Sequence, residues 1–310
     1  MRFPNNTAAA VFAAFALLLT ACGQGGLPGK ANVTLRTDLP AELNVRRAKT
    51  GHLLVPARIN GQEAGWFILD TGAGMSCVSR QAAETLALPA SGQVRAQGNA
   101  GAQATKFRHA DLLEFGPVRL ADTLLVELDL DSVGQSIGED IRGVIGYECF
   151  FAGVFEVDPV APAVSVRPAA TYTPPAGTDW HALKFINRRP HVEGEVEQHP
   201  PMTFLLDLGS REGVALNSPI VRKLSLLEGR ETEATEHGGI GGKQPARKGK
   251  LTRFAFAGHT LKDVPATFSQ ATAGLFSADD KAGALGVGVL GQFLVVLDYE
   301  HSRLALVPKH

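Results

Sequence analysis

Charge of one sign is what this sequence most plainly lacks. Thirty Lys and Arg stand against 31 Asp and Glu, a formal net charge of -1, and no run of like charges is long enough to grip a polyanion. Nucleic acid is therefore not an expected partner. Cysteine is scarce as well, with three in 310 residues (Cys22, Cys77 and Cys149), and none sits in a paired spacing that would hold a metal. His181, His191, His199 and His237 show no ligand spacing either. The longest apolar run, residues 8–19, is too short to span a bilayer as a mature helix. No Ser-centred nucleophile elbow is present, and Cys77 lies in an apolar setting without a nucleophile frame. Gly286, Gly288 and Gly291 spell G-x-G-x-x-G, but no acidic residue follows at the dinucleotide spacing. Gly242-Lys243 lacks the first Gly and the Ser/Thr of a phosphate-binding loop. No metal, cofactor or nucleotide is expected.

What is present is ordinary globular composition, 45% hydrophobic and 20% charged, over a length that suits two cores. The N-terminus differs. Arg2, an apolar stretch over residues 8–19 and then Leu19-Thr20-Ala21-Cys22 read as a secretory signal. The LTAC tetrapeptide resembles the bacterial lipobox, which implies cleavage before Cys22 and lipidation of its thiol. Gly23 and Gln24 carry no acidic retention signal, so an outer-membrane anchor facing the periplasm is expected. Residues 1–22 are read as signal, 23–42 as tether, 43–170 as a first lobe, 171–179 as a linker of Pro/Gly composition and 180–310 as a second lobe. Cys77 and Cys149 are left as either a bridge or two apolar core thiols, since an oxidising compartment permits the first and their counterparts, Val214 and Leu294, suggest the second.

The chain repeats itself. An apolar strand ends in a lone carboxylate and a Gly turn twice: WFILDTGAG (residues 66–74, with Asp70, Thr71 and Gly72) and FLLDLGSRE (residues 204–212, with Asp207 and Gly209). Burying an Asp without a partner costs several kcal/mol or neutralises it, so each carboxylate needs a partner, and each other is the economical answer. Before Asp70 a hairpin is signalled by Asn60-Gly61, a type I′ turn pair; a turn over residues 198–201 does the same before Asp207. A short helical pattern follows each Asp. Further on come two Gly-rich segments, Gly98 to Gly101 and Gly238 to Gly242, suited to mobile hairpin tips. Each half then closes on an apolar-apolar-Gly triplet, Val144-Ile145-Gly146 and Val289-Leu290-Gly291, 76 and 84 residues after its Asp. Short alternating strands dominate, which predicts mainly β lobes.

The pairing of Ile68-Leu69-Asp70-Thr71-Gly72-Ala73 with Val144-Ile145-Gly146, and of Leu205-Leu206-Asp207-Leu208-Gly209-Ser210 with Val289-Leu290-Gly291, resembles the retropepsin-like and pepsin-like aspartic proteases over about residues 45–310. The resemblance implies two homologous β-barrel lobes in one chain with a cleft between them. It implies a catalytic pair, Asp70 and Asp207, that shares one proton and activates water for hydrolysis of peptide bonds, without metal or covalent intermediate. Thr71, Gly72 and Gly209 would support the pair, and Gly98, Gly101, Gly239 and Gly241 would sit in flaps or substrate loops. Since one chain supplies both halves, a monomer with a peptide or protein substrate is expected. In the family the residue after each Asp is usually Thr or Ser, whose hydroxyl braces the opposite lobe; Thr71 can do this and Leu208 cannot. That departure keeps open an alternative, a weak or inactive pseudo-protease that binds extended peptides in the same cleft.

Overall fold

The computed structural model describes residues 32–97, 102–239 and 242–309, with two strand segments before them, Val11–Phe12 and Leu18–Ala21. Strand accounts for 51% and helix for 13%, so the mainly β reading holds. In the first lobe Leu53–Ile59 and Gln62–Leu69 form the predicted hairpin, in register from Leu54 opposite Ile68 to Ile59 opposite Gln62. Asn60 and Gly61 turn it with φ of 50° and 77°, the positive pair that a type I′ turn requires and that Asn and Gly tolerate. In the second lobe Arg189–Val196 pairs with Met202–Leu206, His191 opposite Leu205, and Glu197 takes the positive φ in the turn.

After each Asp the chain forms a three-residue strand and one short helix: Cys77–Ser79 with Arg80–Thr85, and Val214–Leu216 with Ser218–Lys223. Ser79 caps its helix by accepting from the Ala82 N–H at 3.0 Å. At the matching position the Asn217 side chain donates instead to the carbonyls of Ala278 and Lys281, tying the second helix to the loop that precedes the closing strand. Long hairpins follow, Ala90–Gln97 with Ala102–Phe115 and Glu233–Gly239 with Gly242–Phe256. Their last described pairs are Gln97 with Ala102 and Gly239 with Gly242. Gly239 ends its strand; Gly98, Gly101 and Gly241 lie outside the described residues.

The strand that closes each lobe runs parallel to the strand ending in Asp and antiparallel to the short strand after it. In the first lobe this is Ile141–Ile145, ending at Gly146 as expected. In the second it is Gly283–Leu285, so the closing glycine is Gly286 and not Gly291. The hydrogen bonds match position by position. The Asp70 N–H donates to Ile145 O and the Tyr147 N–H to Ala73 O, while the Asp207 N–H donates to Leu285 O and the Val287 N–H to Ser210 O. Gly146 and Gly286 are both extended (φ/ψ −114°/−164° and −106°/−175°), whereas Gly291 is helical at −63°/−13°. The true Asp-to-Gly spacings are thus 76 and 79 residues. The glycines of the G-x-G-x-x-G run are explained by close packing: a Cβ on Gly286 would lie 2.5 Å from Glu212 O, and one on Gly288 2.8 Å from Gly213 N.

A third sheet crosses between the lobes. Val154–Asp158 and Ala163–Arg167 from the first half join Phe293–Asp298, Arg303–Pro308 and His181–Ala182 from the second, with Val154 opposite Asp298 at the junction. The largest apolar cluster runs continuously from Leu53 to Leu306 and includes residues of both lobes. At its centre Tyr147, Phe150, Phe151, Phe155, Phe185 and Tyr299 pack ring on ring. Residues 32–42, expected to be tether, belong to the first lobe. Asn32–Leu35 pairs with Val118 to Ala121, the Leu43 N–H donates to Val164 O and the Val166 N–H to Ala41 O, because alternating Val33 and Leu35 have an apolar sheet to cover. Val11–Phe12 pairs with His237 and Gly238, and Leu18–Ala21 with Val94 to Gln97; Cys22 lies outside the described residues.

Candidate active site

Asp70 and Asp207 each stand one residue past the end of an apolar strand, where the chain leaves the sheet and turns on a Gly. Both are fully buried. The turn folds back on its own carboxylate: the Gly72 N–H donates to Asp70 Oδ1 at 2.7 Å and the Gly209 N–H to Asp207 Oδ1 at 3.0 Å. The two turns face each other across the lobe junction. A Cβ on Gly72 would lie 2.7 Å from the Asp207 carboxyl carbon, and one on Gly209 2.4 Å from that of Asp70, so only glycine lets each carboxylate in against the other's turn. The sequence-predicted pair is brought together, and Oδ2 of each has no hydrogen-bond partner among the described residues.

Burial dominates the electrostatics. It raises Asp70 from 3.8 to about 7, against the opposing pull of the Gly72 N–H, and it raises Asp207 well above the usual carboxylate range, helped by the neighbouring Asp70 charge. Two such groups titrate as a unit and hold one proton over a broad pH interval.

Thr71 reaches across the junction. Its hydroxyl donates to Leu206 O at 2.8 Å and accepts from the Leu208 N–H at 2.9 Å, both in the opposite lobe. Leu208 returns no such bonds from its side chain, which is buried in the main apolar cluster. The brace is therefore one-sided: an apolar contact replaces the second hydroxyl.

Several residues at the site carry no motif and escaped sequence reasoning. Ser76 binds the closing glycine, accepting from the Gly146 N–H at 2.9 Å, while its own N–H donates to the buried Glu148 at 2.7 Å. Arg188 crosses the junction to donate to Gly74 O at 3.0 Å. His52 accepts or donates at 2.8 Å with Thr50 and bonds the Gly209 backbone across the junction; burial, with the Arg211 charge, lowers it to about 4 and keeps it neutral. Tyr299 lies fully buried within electrostatic reach of the pair. The only advance signal for Ser76 and Glu148 was proximity to a motif. Cys77 and Cys149 are buried free thiols, held protonated by burial, and Cys149 Sγ sits 3.5 Å from Ser76 Oγ. The counterpart of Cys149 is Val289, following the corrected glycine, so both thiols occupy apolar stations.

The repeat seen in the fold is also the repeat seen in comparison with known proteins. A family model described as aspartyl protease matches residues 55–149 and again 192–292, one stretch in each lobe and together more than half of the chain. The chain belongs to this aspartyl protease family, which supports aspartic-type protease activity in general. No curated protein matches the chain.

Proposed function

We propose that this protein is an aspartic-type endopeptidase whose working groups are Asp70 and Asp207. The observation that carries the reading is the meeting of two duplicated, buried carboxylates, each seated against the glycine turn of the other lobe. With one proton between them, the ionised member acts as general base on a water, and the protonated member hydrogen-bonds the oxyanion that develops on the scissile carbonyl. The Gly72 and Gly209 N–H groups fix the inner oxygens and leave each Oδ2 for this work. The long hairpins would cover an extended peptide from both sides and exclude water during the reaction. With LTAC at residues 19–22, the protein would act from a lipid anchor at Cys22, on the periplasmic face of the outer membrane.

One observation favours a second reading. Leu208 leaves the brace one-sided, which suits a cleft that binds extended peptide without cutting it. Mass-spectrometric digestion of a diverse peptide mixture by protein beginning at Gly23, from acid to neutral pH, separates the two. Cleavage by the monomer that Asp70→Asn and Asp207→Asn each abolish is the expected result. Peptide binding without cleavage at any pH would establish the second reading.

A further inference from the structure

The repeat places a basic side chain beside each carboxylate. In the first hairpin the pairing ends with Leu54 opposite Ile68, and two residues beyond these stand His52 and Asp70. In the second, the pairing ends with His191 opposite Leu205, and two residues beyond these stand Arg189 and Asp207. The two stations are equivalent in the fold and different in chemistry. His52 is held neutral and satisfied by Thr50 and the Gly209 backbone. Arg189 is 1% exposed and heads the largest fully buried side chains, and a guanidinium does not give up its charge. Its Nε and Nη1 have no hydrogen-bond partner among the described residues.

A buried cation without an anion costs several kcal/mol, so the fold must supply one. The groups that face Arg189 are Asp280, Lys281, His191, Asp207 and Asp70. Asp280, the anion that acts most on Arg189, is shared with Lys281, whose Nζ donates to it at 3.0 Å, and its carboxylate is half exposed. His191 is buried and donates from Nδ1 to Arg189 O at 2.8 Å; burial lowers it to about 4, so it adds no charge near neutrality. His52, Cys77 and Tyr299 also lie near the pair, and all three are neutral in the working range. Asp207 and Asp70 are thus the buried anions that Arg189 faces beside the shared Asp280, and Arg211, which acts on His52, is the other cation near the pair.

We propose that Arg189 is the resident counter-ion of the Asp70–Asp207 pair, a positioning residue that keeps one carboxylate ionised while the other retains the proton. The inference rests on the endopeptidase reading for its kinetic consequence, although the charge pairing itself does not. Desolvation alone pushes both carboxylates towards the neutral form; a fixed cation on the second-lobe side opposes this and extends the singly ionised state to lower pH. The counter-ion acts from one lobe, since the matching station in the other holds a neutral His52.

The test is the pH dependence of kcat/KM for the full chain and for Arg189→Met, Arg189→Lys and His52→Gln, with 13C NMR titration of the aspartate carboxyls in the same proteins. Arg189→Met is expected to move the acid limb, and the carboxyl titration with it, upward by about one pH unit, as loss of one nearby partly buried charge would. Arg189→Lys returns most of the shift, and His52→Gln, which removes no charge, leaves it in place. Arg189→Gln replaces the methionine variant if that does not fold. An unmoved carboxyl titration in a folded Arg189 variant overturns the proposal. If no variant and no parent protein cuts peptide but the titration moves, the counter-ion stands and the endopeptidase reading falls.

Discussion

Thr71→Val removes one hydroxyl and nothing else of size, yet it strips two bonds from the junction between the lobes. The Leu206 carbonyl loses a donor and the Leu208 N–H loses an acceptor, both in a region without solvent access. A buried polar group left unpaired costs about 1–3 kcal/mol, so the pair amounts to about 2–6 kcal/mol. Leu208 offers no side-chain bond to compensate, which makes the loss larger than in a junction braced from both sides. At about 2–4 °C per kcal/mol, the melting temperature should fall by about 4–24 °C. The assay is thermal unfolding of parent, Thr71→Val and Thr71→Ser, followed by cleavage rates at a temperature where all three are folded. Thr71→Ser keeps the hydroxyl and should melt close to the parent. The rate of Thr71→Val should fall as well, because the brace sets the approach of the two Gly turns and hence of the carboxylates. A Thr71→Val protein that melts with the parent would show that the junction is held by apolar packing alone, and the reasoning about the one-sided brace would fail.

Stability should carry the signature of the carboxylate pair. Asp70 titrates at about 7 in the folded chain and 3.8 as its ordinary value, so between those values the folded state binds the proton and the unfolded state does not. Folding therefore weakens as pH rises from about 4 to 7, by about 4 kcal/mol for that interval. His52 and His191 titrate near 4 when folded and act in the opposite sense up to 6.5, so the readout is the difference between parent and the Asp70→Asn/Asp207→Asn double variant in urea unfolding. The variant should gain on the parent with rising pH; parallel curves would contradict the buried shared proton. Gly286→Ala should unfold or severely destabilise the second lobe, as Gly146→Ala should the first, since the new Cβ would meet backbone at 2.5 Å in each. Circular dichroism melts of the two variants check this, and a Gly286→Ala protein as stable as the parent would refute the corrected register.

Much of the site was legible because it is local. A strand that ends in Asp and turns on Gly is written in consecutive residues, and the duplication supplied the partner for each carboxylate. Asn60-Gly61 announced its hairpin for the same reason: two adjacent residues that tolerate positive φ make the turn without help from elsewhere. The short helices after each Asp were visible as well, with Ser79 at the cap.

The misses share a different cause. Val289-Leu290-Gly291 looks more like Val144-Ile145-Gly146 than Ala284-Leu285-Gly286 does, and only the hydrogen bond from the Asp207 N–H to Leu285 O tells which triplet lies beside the carboxylate. Residues 32–42 read as tether because a short strand with no partner in sequence looks like linker; its partner is Val118 to Ala121. The sheet shared by the two halves joins strands more than 130 residues apart, such as Val154–Asp158 and Phe293–Asp298, and nothing local marks an edge that will pair with its own repeat. Sequence by itself determined the candidate carboxylates, the class of fold and the fact of two halves, because these follow from residue type and short-range pattern. Tertiary structure alone decided the one-sided brace of Thr71 and the closing role of Gly286, because each is a relation across strands or lobes, where distance in space is unrelated to distance along the chain.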